Sequence, residues 1–492
     1  ILGLVSEITL GAVAAMFLHI IFSAVRIIGD FVGYSTALSM AMMFDPSTGS
    51  QEGLVSRMLY WIVIALFFQT GMYEMTIVML VKSFSMIHLG TFDIFSYDGI
   101  QLAIDEIKRM FTFAFAFALQ LLLGAFVLYV PFGKDVLQSI TNGVQQVIDS
   151  AKVGINFLFG GLGTDAMFEN GVGFVFAVRV LPVIIFFSSL IAVLYYLNIM
   201  QLVVKVIGGG LQKLLKTSKP ESLSATANIF VGQTEAPLVV KPYIAKMSQS
   251  ELFAIMVGGL ASVAGSILAG YAGLGVELKY LIAASFMAAP GGFLMAKIIM
   301  PETEKKAFDN EVVDFEEDNK PTNVIDAAAS GAASGLKLAV NVGAMLLAFI
   351  AIIALLNTLV GGTASLFGFE GVTIEWLLGY VFAPFAFIIG VPLEEMLQAG
   401  SFIGQKIVVN EFFAYVNFVE VKDSLSPVTQ AIVTFALCGF ANLSSIAILL
   451  GGIGSMAPSR RHDIARLGMK AMLAATLANL MSAAIAGVFI SL

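Results

Sequence analysis

The stretch GGGLQKLLKTSKPESLSATANIFVGQTEAPLVVKPYIAKMSQSELF, residues 208–253, decides the fold. It holds a short apolar run cut by polar and helix-breaking residues, too short and too broken to cross a bilayer core of about 30 Å. Such a segment reads as a re-entrant hairpin, expected near 222–247. The same design returns at 427–461, within which VTQAIVTFALCGFANLSSIAILLGGIGSMAPSRR sets Asn442, Ser444 and Ser445 in the middle of an apolar stretch. A second hairpin is therefore expected near 427–456. Irregular backbone is tolerated at membrane depth only around a protein-lined cavity, so paired broken segments in two halves of a chain point to a transporter binding site.

Working outward, the rest of the chain supplies the membrane setting. Of 492 residues, 58% are hydrophobic and 12% charged, with mean hydropathy +0.92, 41 Phe, 47 Gly and 23 Met, which excludes a water-soluble globule. Apolar stretches of spanning length recur at 1–28, 58–80, 111–132, 174–204, 251–274, 279–300, 336–360, 374–392 and 463–491. The chain reads as an all-α polytopic membrane protein with lipid as its solvent. A single cysteine, Cys438, excludes an internal disulfide, and three scattered histidines argue against a metal cluster. The net charge of −8 is concentrated in Pro301–Pro321, where eight acidic residues face three lysines, as in a solvated loop. No nucleic-acid-binding surface is expected. The first residue is Ile1 and no cleavage signal follows it, so the natural N-terminus is expected to be missing.

Two irregular stretches divide the chain. Residues 86–110 are mixed, charged and punctuated by glycine, and place a module boundary near 110–120. Residues 133–173 join the amphipathic KDVLQSITNGVQQVIDSAK to a glycine-rich run, and suit the membrane interface. Basic clusters at Lys213, Lys216 and Lys219 and at Arg460, Arg461 and Arg466 belong on the cytoplasmic side by the positive-inside rule.

Ionisable groups in membrane segments cost at least about 2.5–3.5 kcal/mol and need a reason. Glu235 in GQTEAP and Glu411 in NEFFAY stand out, beside Gln233, Thr234 and Asn410. Carboxylates accept from sugar hydroxyls, while amides both donate to and accept from a base, so the grouping suits a sugar joined to a base. The plain alternatives are ion pairs, Glu235 with Lys241 and Glu411 with Lys406, the latter five residues apart and poorly placed on a helix face. Glu394 and Glu395, beside Pro392, are read as helix-end residues outside the site. Phe440 alone would be an ordinary core residue; its neighbours Asn442 and Ser445 make it a candidate to pack on a base. Asn228 and Ser262 are candidate hard-oxygen ligands for sodium, against the plain role of small residues in close helix packing. An intramembrane enzyme is disfavoured: the sequence offers no paired catalytic carboxylates, metal ligands or activated nucleophile.

ANIFVGQTEAPLVVKPYIAKMSQSELFAIMVGGLASVAGSILAGY, IGQKIVVNEFFAY and FALCGFANLSSIAILLGG, in this order and spacing, resemble the concentrative nucleoside transporter family from about Gln120 to Leu492. The resemblance implies that family's fold: a scaffold and a transport domain, two re-entrant hairpins, inverted repeats and a homotrimer. It implies sodium-coupled symport of nucleosides into the cell by an elevator movement in a bacterial inner membrane, with sodium as the coupling ion and no organic cofactor. By resemblance the nucleoside falls to Gln233, Thr234, Glu235, Glu411, Phe440, Asn442 and Ser445, and sodium to Asn228, Ser262 and the carbonyls of Val231 and Val263. A proton-coupled nucleoside symporter is the alternative. Residues 1–119 depart from this family: FSAVRIIGDFVGYSTALSMAMMFDPSTGSQEG and MLYWIVIALFFQTGMYEMTIVMLVKSF resemble an internal piece of the flagellar export-gate family FliR. The chain then reads as a chimera whose first module is a passenger, with a fragment of a protein-export gate as the remaining alternative.

Overall fold

The computed structural model describes residues 42–45, 50–53, 57, 116–164, 174–215, 217–302 and 321–491. The expected spans at 1–28 and 58–80 and most of the acidic loop lie outside the described residues. The chain divides into two compact units, Ile1–Leu122 and Leu123–Leu492. In the first, Met42–Asp45 pairs antiparallel with Ser50–Gly53, Met42 opposite Gly53 and Asp45 opposite Ser50. This four-residue ladder is the one departure from the all-α expectation among the described residues.

The second unit is helical throughout its described length. Helix α1 (Ala116–Leu128) runs across the division into this unit and gives way at Pro131 to the amphipathic α2 (Pro131–Phe159), bent by 79° from it. Proline lacks the N–H and restricts the residue before it, so the helix restarts in a new direction. α3 (Phe176–Tyr196) is a spanning helix, and Asn198 at φ 58° turns the chain into α4 (Ile199–Leu215).

A first hairpin follows. α5 (Lys219–Ala227) starts on a capping box between Ser218 and Glu221, and an arm of 3-10 turn Ala236–Val240 and α6 (Lys241–Ile244) packs back on it. α7 (Gln249–Ala261) and α8 (Gly265–Leu274) form one span interrupted at residues 262–264, and α9 (Leu278–Ile299) returns beside it.

The second half repeats this order. α10 (Val324–Ser365) lies antiparallel on α3 through its small-residue face. A Cβ on Gly331 would stand 2.6 Å from Ala192 Cβ, and one on Gly335 2.7 Å from Ser188 Cβ. The GAASG spacing thus lets the two backbones approach closely. α11 (Ile374–Ile388) precedes α12 (Met396–Val408) and α13 (Glu411–Val421), then come α14 (Pro427–Leu437), α15 (Leu443–Met456) and α16 (Arg461–Ser491). The core lies around the broken span: 94% of the apolar window of Gln249–Leu274 is buried in protein, against 17% for Val324–Ser365, which presents Leu347, Leu355 and Leu359 outward as a lipid-facing helix does.

The position of the second hairpin corrects the sequence reading. α13 doubles back on α12, with Asn417 Nδ2 donating to Gln405 Oε1 at 2.6 Å and the Phe402 and Phe418 rings 5.7 Å apart. The reversal lies at Val409–Asn410. Residues 427–456 do not reverse: α14 and α15 run in sequence antiparallel along α16. Ile432 meets Gly487, Cys438 meets Asn479, Ile446 meets Gly468, and the Leu450 carbonyl meets Arg461. They are the two halves of a broken span, the counterpart of α7 and α8. An unwound polar midpoint has the same hydropathy whether the chain turns back or continues, so only the partner helix distinguishes the two.

Candidate functional site

Four irregular segments converge, two hairpin turns and two helix breaks. Asn410 caps α13, its Oδ1 accepting from Phe413 N at 2.8 Å, so Glu411 becomes the first helical residue. An acidic group there is favoured by the positive end of the helix dipole. Glu411 is 5% exposed; its Oε1 accepts from the Tyr271 hydroxyl at 3.0 Å and its Oε2 from Asn442 Nδ2 at 2.8 Å. Asn442 also caps α15, its Oδ1 accepting from Ser445 N at 2.9 Å and from Ser444 Oγ at 2.7 Å. Two half-helix N-termini therefore bracket one buried carboxylate, and Glu411, Asn442 and Ser445 stand together. Phe440, in the break, is partly buried, and its N–H donates to the Ser262 carbonyl at 3.3 Å, linking the break of one half to that of the other.

The first hairpin's turn lies against the same breaks. Gly265 N donates to the Phe230 carbonyl at 3.0 Å, tying the turn to the start of α8. A Cβ on Gly259 would lie 3.0 Å from Gln233 Cβ, and one on Gly452 2.9 Å from Thr234 Cγ2, so Gln233 rests on α7 and Thr234 on α15. Glu235 is exposed at the turn and accepts from Gly232 N at 3.1 Å.

Around the expected sodium ligands, Val231, Ser262 and Val263 are buried, and the Ser262 hydroxyl donates to the Gly258 carbonyl at 2.8 Å, leaving its oxygen lone pairs able to take a cation. Asn228 is 1% exposed, and neither Oδ1 nor Nδ2 has a hydrogen-bond partner. A buried amide left so costs on the order of 1–3 kcal/mol, and such a group calls for an absent ligand.

The alternative pairing of Glu411 with Lys406 does not form: the Lys406 ammonium donates to the Ala436 carbonyl at 2.7 Å and to Asn479 Oδ1 at 2.8 Å. Glu395 is a helix-end residue, its carboxylate accepting from Ser426 N and Oγ at 2.8 Å each. Tyr271 and Asn479 escaped the sequence reading, and Lys406 entered it only as a possible partner of Glu411. A hydroxyl in SILAGYAG and an amide in ATLANL were the available signals, each a lone polar group in an apolar helix.

Comparisons with known proteins agree over the second unit. The family model described as Na+ dependent nucleoside transporter C-terminus matches residues 280–487, its N-terminal companion matches 109–162, and one described as nucleoside recognition matches 177–277. A fourth, bacterial export proteins, family 1, matches 1–134. An uncharacterized transporter of Haemophilus influenzae is 57% identical over 383 residues, covering 77% of this chain and 91% of the relative. The nucleoside permease NupC of Helicobacter pylori is 51% identical over 390 residues, 77% of this chain and 92% of its own. The structure of CNTnw in an inward-facing substrate-bound state superposes with TM-score 0.74 at 59% identity, covering 78% of this chain and 92% of that one.

Proposed function

Because this chain belongs to the concentrative, Na+ dependent nucleoside transporter family and is thereby a multi-pass membrane transporter rather than an enzyme, we propose that it carries nucleosides into the cell by sodium-coupled symport. The orphaned carboxamide of Asn228 is the observation that carries the sodium reading. Asn228 Oδ1, the Ser262 hydroxyl and the carbonyls of Val231 and Val263 form a set of neutral hard oxygens, the donors an alkali cation takes. Sodium among them would brace the first hairpin's turn against the break between α7 and α8, where Gly265 N already holds the Phe230 carbonyl.

The nucleoside's ribose hydroxyls donate to Glu411, with Asn442 and Ser445 completing the polar wall and Phe440 packing on a flat face. Gln233, Thr234 and Glu235 offer donors and acceptors to the base. Gln233 lies on α7 beside the sodium ligands, so an ion that orders this turn raises nucleoside affinity, and the nucleoside raises sodium affinity by the same factor. Coupling of this kind is typically about 1–3 kcal/mol.

The buried α7–α9 core with the two hairpins forms the moving body of an elevator, and the lipid-facing α10 with α3 its scaffold, assembled as a homotrimer in a bacterial inner membrane. Arg460 Nη1 donates to the Met247 carbonyl and Arg466 Nη2 to Gln249 Oε1, so the second basic cluster meets the base of the first hairpin, where Lys219 begins α5. This common end is assigned to the cytoplasm. Residues 1–119 act as a passenger in place of the transporter's own first helices.

The test is uridine uptake into proteoliposomes of the purified chain with and without an inward sodium gradient at fixed pH. Stimulation by sodium supports symport. Uptake that follows pH and ignores sodium selects the proton-coupled alternative.

A further inference from the structure

Lys406 places a cation deep inside the helical core. Its side chain is 1% exposed, and among the described residues no carboxylate lies within ion-pair distance of it. An ammonium buried with no carboxylate in contact is costly, and ionisable groups inside membrane segments mark function. It is held by neutral oxygens alone, the Ala436 carbonyl at 2.7 Å and Asn479 Oδ1 at 2.8 Å. Ala436 lies in the last turn of α14, at the negative end of a half-helix. Asn479 Nδ2 in turn donates to the Ala261 carbonyl at 2.8 Å and to the Cys438 carbonyl at 3.0 Å, joining the ends of α7 and α14. Lys406 thus sits where the end of a hairpin's first arm meets the break of the following span.

The first half of the chain has the same junction. Asn228, ending α5, stands against α7, a Cβ on Gly258 falling 3.3 Å from its Nδ2, and its amide atoms are unpartnered. One junction holds an orphaned oxygen donor; the other holds an ammonium with its oxygens filled. We propose that Lys406 is a tethered cation, taking at the second junction the place a sodium ion takes at the first, so that the second half works charged without an ion from solution. The inference rests on the sodium reading above. It makes Lys406 a positioning residue: its charge holds α14, α16 and, through Asn479, α7 in the arrangement that sets Phe440 and Asn442 at the nucleoside site.

Removing the side chain leaves a small chamber of oxygens that a free cation can enter, whereas an uncharged side chain of equal length fills it. The experiment measures uridine binding calorimetrically on the full chain in nanodiscs, for wild type, Lys406→Ala and Lys406→Met, with choline holding ionic strength constant. At about 10 mM sodium, Lys406→Ala is expected to bind uridine at least about tenfold more weakly than wild type, recovering to within about threefold at about 500 mM. Its sodium dependence then rises toward a Hill coefficient of about two, from about one in wild type, while Lys406→Met stays weak at both concentrations. Equal behaviour of the Ala and Met variants, or a wild-type coefficient near two, overturns the proposal. Should neither variant fold, Asn228→Ala decides: loss of all saturable sodium response supports a single free-ion site, and a residual response overturns the tethered cation. A wild type indifferent to sodium sinks the sodium reading and this inference together; a responsive wild type with an unrescued Lys406→Ala sinks this inference alone.

Discussion

Replacing Glu411 by Gln separates a ligand-binding charge from a structural hydrogen bond. In the structure one carboxylate oxygen accepts from the Tyr271 hydroxyl at 3.0 Å and the other from Asn442 Nδ2 at 2.8 Å. Asn442 cannot flip, because its Oδ1 caps α15 through Ser445 N. A glutamine therefore turns its oxygen to Asn442 and its amide to Tyr271, whose hydroxyl rotates to accept. Both bonds survive, so the stability change should stay within about 1 kcal/mol. What disappears is the charge. A hydrogen bond to a charged group contributes about 1.5–3 kcal/mol against about 0.5–1.5 for a neutral one, so two ribose hydroxyls lose roughly 2–3 kcal/mol together. That corresponds to about 30- to 150-fold weaker uridine binding. The assay is a calorimetric cycle of wild type and Glu411→Gln with uridine and 2′,3′-dideoxyuridine. Wild type should lose most of its affinity for the dideoxy ligand, and the variant should scarcely distinguish the two. If the variant binds uridine within about threefold of wild type, or still discriminates as wild type does, Glu411 does not hold the ribose.

Asn228→Ala combined with Ser262→Ala should abolish sodium stimulation of uridine uptake in proteoliposomes while leaving the protein monodisperse; unchanged stimulation removes both from the ion site. Gly331→Leu should separate α3 from α10, since a Cβ there already meets Ala192 Cβ at 2.6 Å and the Ser188 carbonyl at 2.7 Å. Overpacking of this kind costs typically about 1–3 kcal/mol, read as a lowered melting temperature, and an unshifted one refutes the close contact. Partial burial pushes the Glu395 carboxyl up, but hydrogen bonds from Thr429 and Ser426 outweigh it and hold the group below the usual carboxylate value. Its contribution is then complete above the unfolded value of about 4.3 and is lost as pH falls through the lower folded value. The melting-temperature gap between wild type and Glu395→Gln should accordingly narrow between about pH 5 and about pH 3, and a gap constant with pH contradicts the assignment.

Much of the molecule was legible along the chain. Lipid as solvent, spanning lengths and the broken segments follow from composition and local pattern, because a bilayer tests each helix for its own hydrophobic length and internal hydrogen bonding. GQTEAP and NEFFAY announced themselves as charges in membrane segments, and Glu411, Asn442 and Ser445 do meet.

Which broken segment turns back and which runs on was decided only by tertiary packing. The helix ends at Val409–Asn410 and at 438–442 carry similar local chemistry, a polar cap among apolar residues. The chain reverses at the first because α13 finds Gln405 and Phe402 on α12, and continues past the second because α16 offers one long face from Gly487 to Arg461. Tyr271, Lys406 and Asn479 belong to the same class: their partners lie 140, 30 and 218 residues away, and a hydrogen bond between distant helices leaves no trace in local periodicity. Sequence determined the solvent, the long spans around 174–204, 251–274, 279–300, 336–360 and 463–491, and the chemistry available at each break. Folding alone decided which breaks face one another, because that depends on side chains meeting across helices that hydropathy treats as equivalent.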